Sequence, residues 1–489
     1  MAASSAERPT VAIAGATGFV GTAVRAALRP EHDLIGLTRS PVRAQALNGR
    51  HEAETWRHCD LFDPYEVQAG LEGADYAIYL VHSMLPSARL TQAQVADLDL
   101  LQADNFARAA EEQGVEQILY VGALVPEREP SLPPRLQSRL EMERALGSTS
   151  VPVTTLRAGL IVGPGGTWLR LLLNLVRRLP VMLLPAWTQA TTQPIALHDA
   201  VRALRQCLGR EKTFGRVYDI GGPDVMSYQE LLRRTAGVLG LRRRMATVPF
   251  DAPQLSKLWV RVFGGVPWPL VGGIVDSLRY QAEVRTNDLQ RWLLEEATPF
   301  EEALDAAVDA QGHPLPNPRD DLRARDDAAI QSQSVARSVQ RMPCPSGYDA
   351  RDVANEYLRW LPRIGWPLLK VEVAHGRTAR FRVRPGGWTL LELHFAADRS
   401  PKGRQLFHVT GGLLAEGSGE GSGRLEFRQV LEGGTVLAAV HDFAPRLPWY
   451  LYNTTQALAH LLVMRGFRRH LTTLAQEQAA SSVRPARSS

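Results

Sequence analysis

The chain has 489 residues, 45% of them hydrophobic and 22% charged, with 40 glycines and 32 prolines. This ordinary globular balance excludes wholesale disorder and collagen-like repeats, and the length suits roughly two or three domains. Cys59, Cys207 and Cys344 make no disulfide framework and no CxxC pair, which fits a reducing compartment. The net charge of +5 is uneven: from Arg341 onward 20 basic residues face 12 acidic ones, and before it 36 face 39. The N-terminus, MAASSAERPT, shows no basic stretch leading into an apolar core, and no apolar run reaches the ~18 residues of a membrane span. The nearest, Trp168 to Trp187, is split by Arg170, Arg177 and Arg178. A soluble cytoplasmic protein is expected.

In chain order, Val11–Ala14 and Asp33–Leu37 read as strands with a helix from about Gly18 to Leu28 between them. Ala74–Val81 and Gln117–Leu124 follow as buried strands, Leu98–Gln113 and Arg135–Leu146 as helices, and Val153–Val162 as a further strand. Such alternation is the pattern of βαβ units and a parallel sheet. Residues 227–240 read as a helix capped by Ser227, with Glu230 completing a capping box. The stretch HPLPNPRDDLRARDDAAIQSQSVARS reads as a linker. Beyond it the apolar pattern shifts to period two over Leu368–Val373, Thr378–Val383, Trp388–Phe395, Gln405–Leu414, Gly423–Val430 and Thr435–Phe443, separated by glycine-rich turns. A long helix from about Pro448 to Glu477 closes the pattern, with Leu458, Leu461, Leu462, Met464, Phe467 and Leu471 as its apolar side. The fold class expected is α/β, a Rossmann-like doubly wound parallel sheet, plus a C-terminal α+β domain with an antiparallel sheet and long helix. The domains are 8–310, a linker over 311–346, 347–478, and a tail over 479–489.

The main chemical signal is VAIAGATGFVGTAV. Gly15 permits the turn out of the first strand, Gly18 lets backbone approach a pyrophosphate, and Gly21 lets the helix pack on the sheet. Gly15, Ala16, Thr17, Gly18, Phe19, Val20 and Gly21 are thus the expected dinucleotide cradle, with the helix dipole facing the anion. NAD sites place a carboxylate at the end of the second strand. This chain reads Leu37-Thr38-Arg39-Ser40, with Arg43 following. A guanidinium suits a 2′-phosphate, so NADP(H) is favoured over NAD(H), with Arg39 as its ligand. Asp60 and Leu61 stand where the adenine would lie, although an Asp in CDLFDP equally forms a turn.

GATGFVG, YLVHSM (Tyr79–Met84), LRAGLIVG (Leu156–Gly163), QPIALHD (Gln193–Asp199) and YDIGGPDVMSYQELL (Tyr218–Leu232) together resemble the atypical short-chain dehydrogenase/reductase superfamily. The likeness is to its NmrA-like, NAD(P)-binding members that carry an appended C-terminal domain. The resemblance implies a catalytic Tyr, with a Lys four residues on, upon the helix after the fifth strand. Here that helix reads PPRLQSRLEMERAL, with Arg135 and Arg139 in their place, and the strand end YVGAL lacks the usual Ser. Arginine stays protonated and donates no proton at neutral pH, but Arg139 can bind ribose or phosphate.

His82 and Ser83 follow the fourth strand on the side where ligands bind. His82 is the candidate proton carrier and Ser83 a cofactor contact; capping or packing is the other reading. Asp199, beside His198, reads as a helix-start residue. The histidines after residue 341 show no metal spacing. The reading is an NAD(P)H-dependent oxidoreductase acting on an apolar or quinone-like small molecule, and the alternative is a non-catalytic NADP(H) sensor or scaffold. Nucleic acid is not an expected partner. The basic C-terminal domain, with LPWYLY at its helix start, suits a peripheral membrane or protein partner.

Overall fold

The computed structural model describes residues 8–81, 90–126, 132–248, 278–316, 336–364, 369–374, 377–415 and 423–482. The chain divides into two units, one of Met1–Met84 with Asn105–Asp326, the other of Leu85–Asp104 with Asp327–Ser489.

In the first unit, β1 (Thr10–Ala14), β2 (Asp33–Thr38), β3 (Glu54–His58), β4 (Tyr76–Tyr79), β6 (Gln117–Ala123), β7 (Val153–Ala158) and β12 (Val217–Ile220) form one sheet. Its order is β12-β7-β6-β4-β1-β2-β3, and every pairing is parallel. The central strands are buried on both faces, which is why they read as unbroken apolar runs. Helices α1 (Phe19–Leu28), α2 (Pro41–Leu47), α3 (Pro64–Leu71), α4 (Val95–Glu112), whose residues up to Asp104 belong to the second unit, and α5 (Pro134–Leu146) alternate with these strands along the chain. Two of these starts are capped by side chains: Ser40 accepts the Arg43 N–H ahead of α2, and Asp63, ahead of Pro64, accepts those of Tyr65 and Glu66. Strand order reverses between β1 and β4, and that switch point places the crevice at their carboxyl ends.

After β7 come β8 (Ile161–Val162), α6 (Thr167–Arg178), β9 (Val181–Pro185), β10 (Thr191–Thr192), β11 (Ile195–Ala196) and α7 (Leu197–Cys207). Beyond β12 follow β13 (Met226–Ser227), α8 (Tyr228–Val238), β14 (Arg244–Val248), α9 (Asp288–Leu294) and α10 (Phe300–Asp305). Ser227 caps α8 by accepting the Glu230 N–H at 3.1 Å, but the box is half formed, because Glu230 turns to Arg233 and Arg234. A leucine-rich core gathers α6, α8 and α10.

The second unit is built on an eight-stranded sheet of β5 (Leu90–Gln92), β15 (Ala336–Pro343), β16 (Leu369–Ala374), β17 (Thr378–Val383), β18 (Thr389–Phe395), β19 (Arg404–Gly411), β20 (Arg424–Val430) and β21 (Thr435–Phe443). The order is β16-β17-β18-β19-β20-β21-β15-β5, antiparallel except that β5 runs parallel to β15. Helices α11 (Ala350–Trp360), α12 (Trp449–Thr454) and α13 (Gln456–Ser482) complete it. An aromatic cluster fills the core: the Tyr357 ring lies 5.0 Å from Phe467 and 5.1 Å from Phe427.

Three expectations are corrected. Residues 336–343, assigned to the linker, form a ladder strand in which buried Arg337 and Ser338 interrupt the buried apolar residues, which hides it from an apolar pattern. Residues 85–104 group with the second unit, through the pairing of β5 with β15, so that unit is discontinuous in sequence. The closing helix breaks at Thr455. On its second part Met464, Phe467 and Leu471 are buried, whereas Leu458 and Leu462 are each 47% exposed.

Candidate dinucleotide site

The turn from β1 into α1 is shaped by its glycines. Gly15 sits at φ +85°, a left-handed backbone that favours glycine, and the Gly18 N–H closes the turn onto the Gly15 carbonyl at 2.8 Å. A Cβ on Gly21 would lie 2.2 Å from that carbonyl oxygen, so only glycine lets α1 approach the strand this closely. Gly18 is the N-cap, it bears no capping side chain, and no acid stands in the first turn of α1. The start of α1 therefore presents its backbone N–H groups and positive dipole end to an anion. The residues present fit a dinucleotide pyrophosphate.

Behind the cradle, Arg25 reaches the Ala16 carbonyl at 3.3 Å and the buried Glu54 at 3.0 Å, stacked over Trp56 at 4.5 Å. At the end of β2 the two arginines differ. Arg39 is exposed, and its carbonyl lies 3.1 Å from His58 Nε2. Arg43 is buried, and its guanidinium lies 3.4 Å from the Thr17 hydroxyl of the cradle. Asp60 accepts the Phe62 N–H at 3.1 Å, so it shapes the turn as CDLFDP suggests, while the carbonyls of buried Leu61 and Phe62 receive Asn105.

On the other side of the cradle, Gly166 is the N-cap of α6, and a Cβ there would meet the Phe19 ring at 3.3 Å. Two residues on, Trp168 lines an apolar cleft with Leu172, Leu184, Trp187, Tyr228 and Leu231. The Tyr228 ring lies 6.4 Å from Trp168 and 6.2 Å from Trp187, and burial pushes its hydroxyl up to about 12. The cleft's aromatic residues stand far apart in sequence, Trp168 in the first turn of α6, Trp187 between β9 and β10, and Tyr228 at the start of α8.

His82 and Ser83 lie outside the described residues. Arg139, on α5, is half-buried, and its carbonyl accepts the Tyr120 hydroxyl at 3.4 Å. Arg157 is held by both oxygens of Glu143, at 3.0 and 2.8 Å, and Gln193 bridges the Gly222 carbonyl and the Val284 N–H. Both are structural ties. Asp199 is buried in the first turn of α7 and accepts the Thr298 N–H at 2.8 Å, whereas His198 is exposed. Burial pushes the Cys59 thiol up, and the Cys207 thiol up to about 12, which leaves little thiolate at neutral pH. Among the described residues no group of three or more His, Cys, Asp or Glu is placed to hold a metal.

Residues 15–170 match a family model described as NAD(P)H-binding. Over 115 residues the chain is 30% identical to the auxiliary protein GraX of Staphylococcus aureus, a stretch that is 23% of this chain and 36% of that protein. The match thus spans little more than a third of that relative's length. The fold is similar to that of the Citrobacter sp. triphenylmethane reductase complexed with NADP(H), at 22% identity over 61% of this chain and 100% of that one, TM-score 0.48. It is also similar to that of the NADPH-dependent quinone oxidoreductase of Escherichia coli complexed with NADPH, at 19% identity over 62% and 95%, TM-score 0.44. The family match falls on the strand, glycine turn and helix described above, within a parallel sheet of Rossmann type.

Proposed function

We propose that the chain is an oxidoreductase that uses NADPH in preference to NADH to reduce an apolar, quinone-like small molecule. The observation that carries this reading is the position of the aromatic cleft: Phe19 of the cradle packs on Gly166, and the helix opened by Gly166 carries Trp168 into the cleft. When bound, the dinucleotide supplies a hydride from its nicotinamide ring. The cradle N–H groups hold the pyrophosphate, Arg43 beside Thr17 reads the 2′-phosphate, and the rings of Trp168, Trp187 and Tyr228 take a flat apolar acceptor. The cleft holds only about 30 Å³ of free space, so an acceptor ring enters by displacing a side chain.

No Tyr or Lys stands on α5, which favours an acceptor that needs no enzymic acid. Quinone reduction takes one hydride and one proton, and water supplies the proton to the reduced oxygen. The same absence supports a second reading, an NADP(H)-binding sensor without turnover.

The test follows the NADPH absorbance band against a panel of quinones and enones. Oxidation by at least one apolar acceptor is expected, with Trp168→Ala lowering kcat/KM about tenfold and leaving NADPH affinity unchanged, the effect of one lost ring contact. Tight NADPH binding with no oxidation across the panel would overturn the enzyme reading in favour of the sensor.

A further inference from the structure

At one end of the second unit, side chains of the kind that folding buries lie on the surface. Trp388, at the turn between β17 and β18, is 66% exposed, Leu413 is 50%, Tyr450 55% and Leu451 42%. The backbone gathers them. The Leu413 N–H donates to the Thr389 carbonyl at 3.0 Å, and the Arg446 N–H donates to the Leu414 carbonyl at 3.1 Å. The Trp388 turn, the end of β19 and the approach to α12 thus make one rim, on which Arg384 and Arg446 are also exposed. Along α13, Leu458 and Leu462 share a helical stripe with exposed Arg465 and Arg469. From Phe443 to Gln476 the chain carries four arginines and no carboxylate, while the neighbouring segment 416–422, outside the described residues, carries Glu416 and Glu420.

We infer that this rim docks on the surface of an anionic lipid bilayer. Tryptophan and tyrosine have an apolar body and a polar edge, the combination that settles at the headgroup level. Arginines beside them pair with lipid phosphates and gain from the negative surface potential. Self-association is disfavoured by the same charges, since a second copy would set its own arginines against these. No described helix is long and apolar enough to cross a membrane, so the attachment is peripheral.

The test is flotation of the full chain with vesicles of phosphatidylcholine alone and of phosphatidylcholine with phosphatidylserine. The chain is expected to float with the serine-containing vesicles and to be released by high salt. Two variants, Trp388→Ser with Tyr450→Ser and Leu451→Ser, and Arg446→Glu with Arg465→Glu and Arg469→Glu, are each expected to weaken binding about tenfold or more at an unchanged melting temperature. Absence of flotation with anionic vesicles, or undiminished flotation of both variants, would overturn the inference. So would a dimer in sedimentation that the charge-reversal variant abolishes, because the occupant would then be a second copy.

Discussion

Between the end of β2 and the first turn of α2 the chain offers two arginines in different surroundings. Both are legible in the sequence, but which of them faces the cradle is not, because that depends on Ser40 capping α2 and turning Arg43 inward toward Thr17. Arg43→Ala is expected to weaken NADPH binding about 10- to 100-fold, the range for a lost charge-assisted contact of ~1.5–3 kcal/mol, and to leave NADH nearly unchanged. Nicotinamide fluorescence titration checks this, and equal loss for both dinucleotides would assign Arg43 a structural role. Gly21 makes a second case. Its missing Cβ would collide with the Gly15 carbonyl at 2.2 Å, so Gly21→Ala forces α1 off the strand. The expected cost is roughly 1–3 kcal/mol of stability, the usual range for overpacking, together with loss of dinucleotide binding. Thermal melting and titration read the two effects separately.

At the scale of elements, β20 shows why part of the second unit escaped a reading by period. Leu425 and Phe427 face the aromatic core, and Glu426 and Arg428, equally buried, point the other way. Arg428 reaches Asp104 of α4 at 2.9 Å and Glu426 at 2.5 Å; Glu426 also meets Arg404 at 3.0 Å and His441 at 2.9 Å. On β15 Arg337 and Ser338 are buried too, and the half-buried Arg341 meets Asp97 at 2.7 Å. A hydrophobic period sees such residues as solvent-facing, and β15 therefore reads as linker. In the first sheet β1, β2, β4 and β6 were legible to within about two residues, the strand read as Val153–Val162 ends at Ala158, and β3 and β12 were not read with bounds. Burial acts to raise the Glu426 carboxyl, but Arg428, Arg404 and His441 outweigh it and hold it well below the usual range. A depressed carboxylate contributes stability above its unfolded value of ~4.3, and that contribution is lost as pH falls through the folded value. Glu426→Gln is expected to cost about 3–5 kcal/mol at neutral pH, as for a broken buried pair. Urea midpoints should show the gap between variant and wild type narrowing below about pH 4. A gap that stays constant with pH would show that the loss is one of packing.

For the molecule as a whole, the uneven charge of the sequence takes on location. The slightly acidic part before Arg341 holds the cradle, where the first N–H groups of α1 and the buried Arg43 beside Thr17 are the proposed anion contacts. The basic surplus after Arg341 includes the arginines of the exposed rim and of α13, alongside those in the buried network. The cradle was readable because glycine spacing is a backbone requirement written directly in sequence; the aromatic cleft was not, since Trp168, Trp187 and Tyr228 are brought together only by packing among α6, α8 and the segment between β9 and β10. Selection of the 2′-phosphate by the cradle is the proposed basis of dinucleotide preference. It is tested most directly by titrating the full chain with NADPH and NADH under one salt condition. Saturable binding of NADPH at least about tenfold tighter than that of NADH is the expected result, in line with one charge-assisted contact to the phosphate. No binding of either dinucleotide, or tighter binding of NADH, would contradict it.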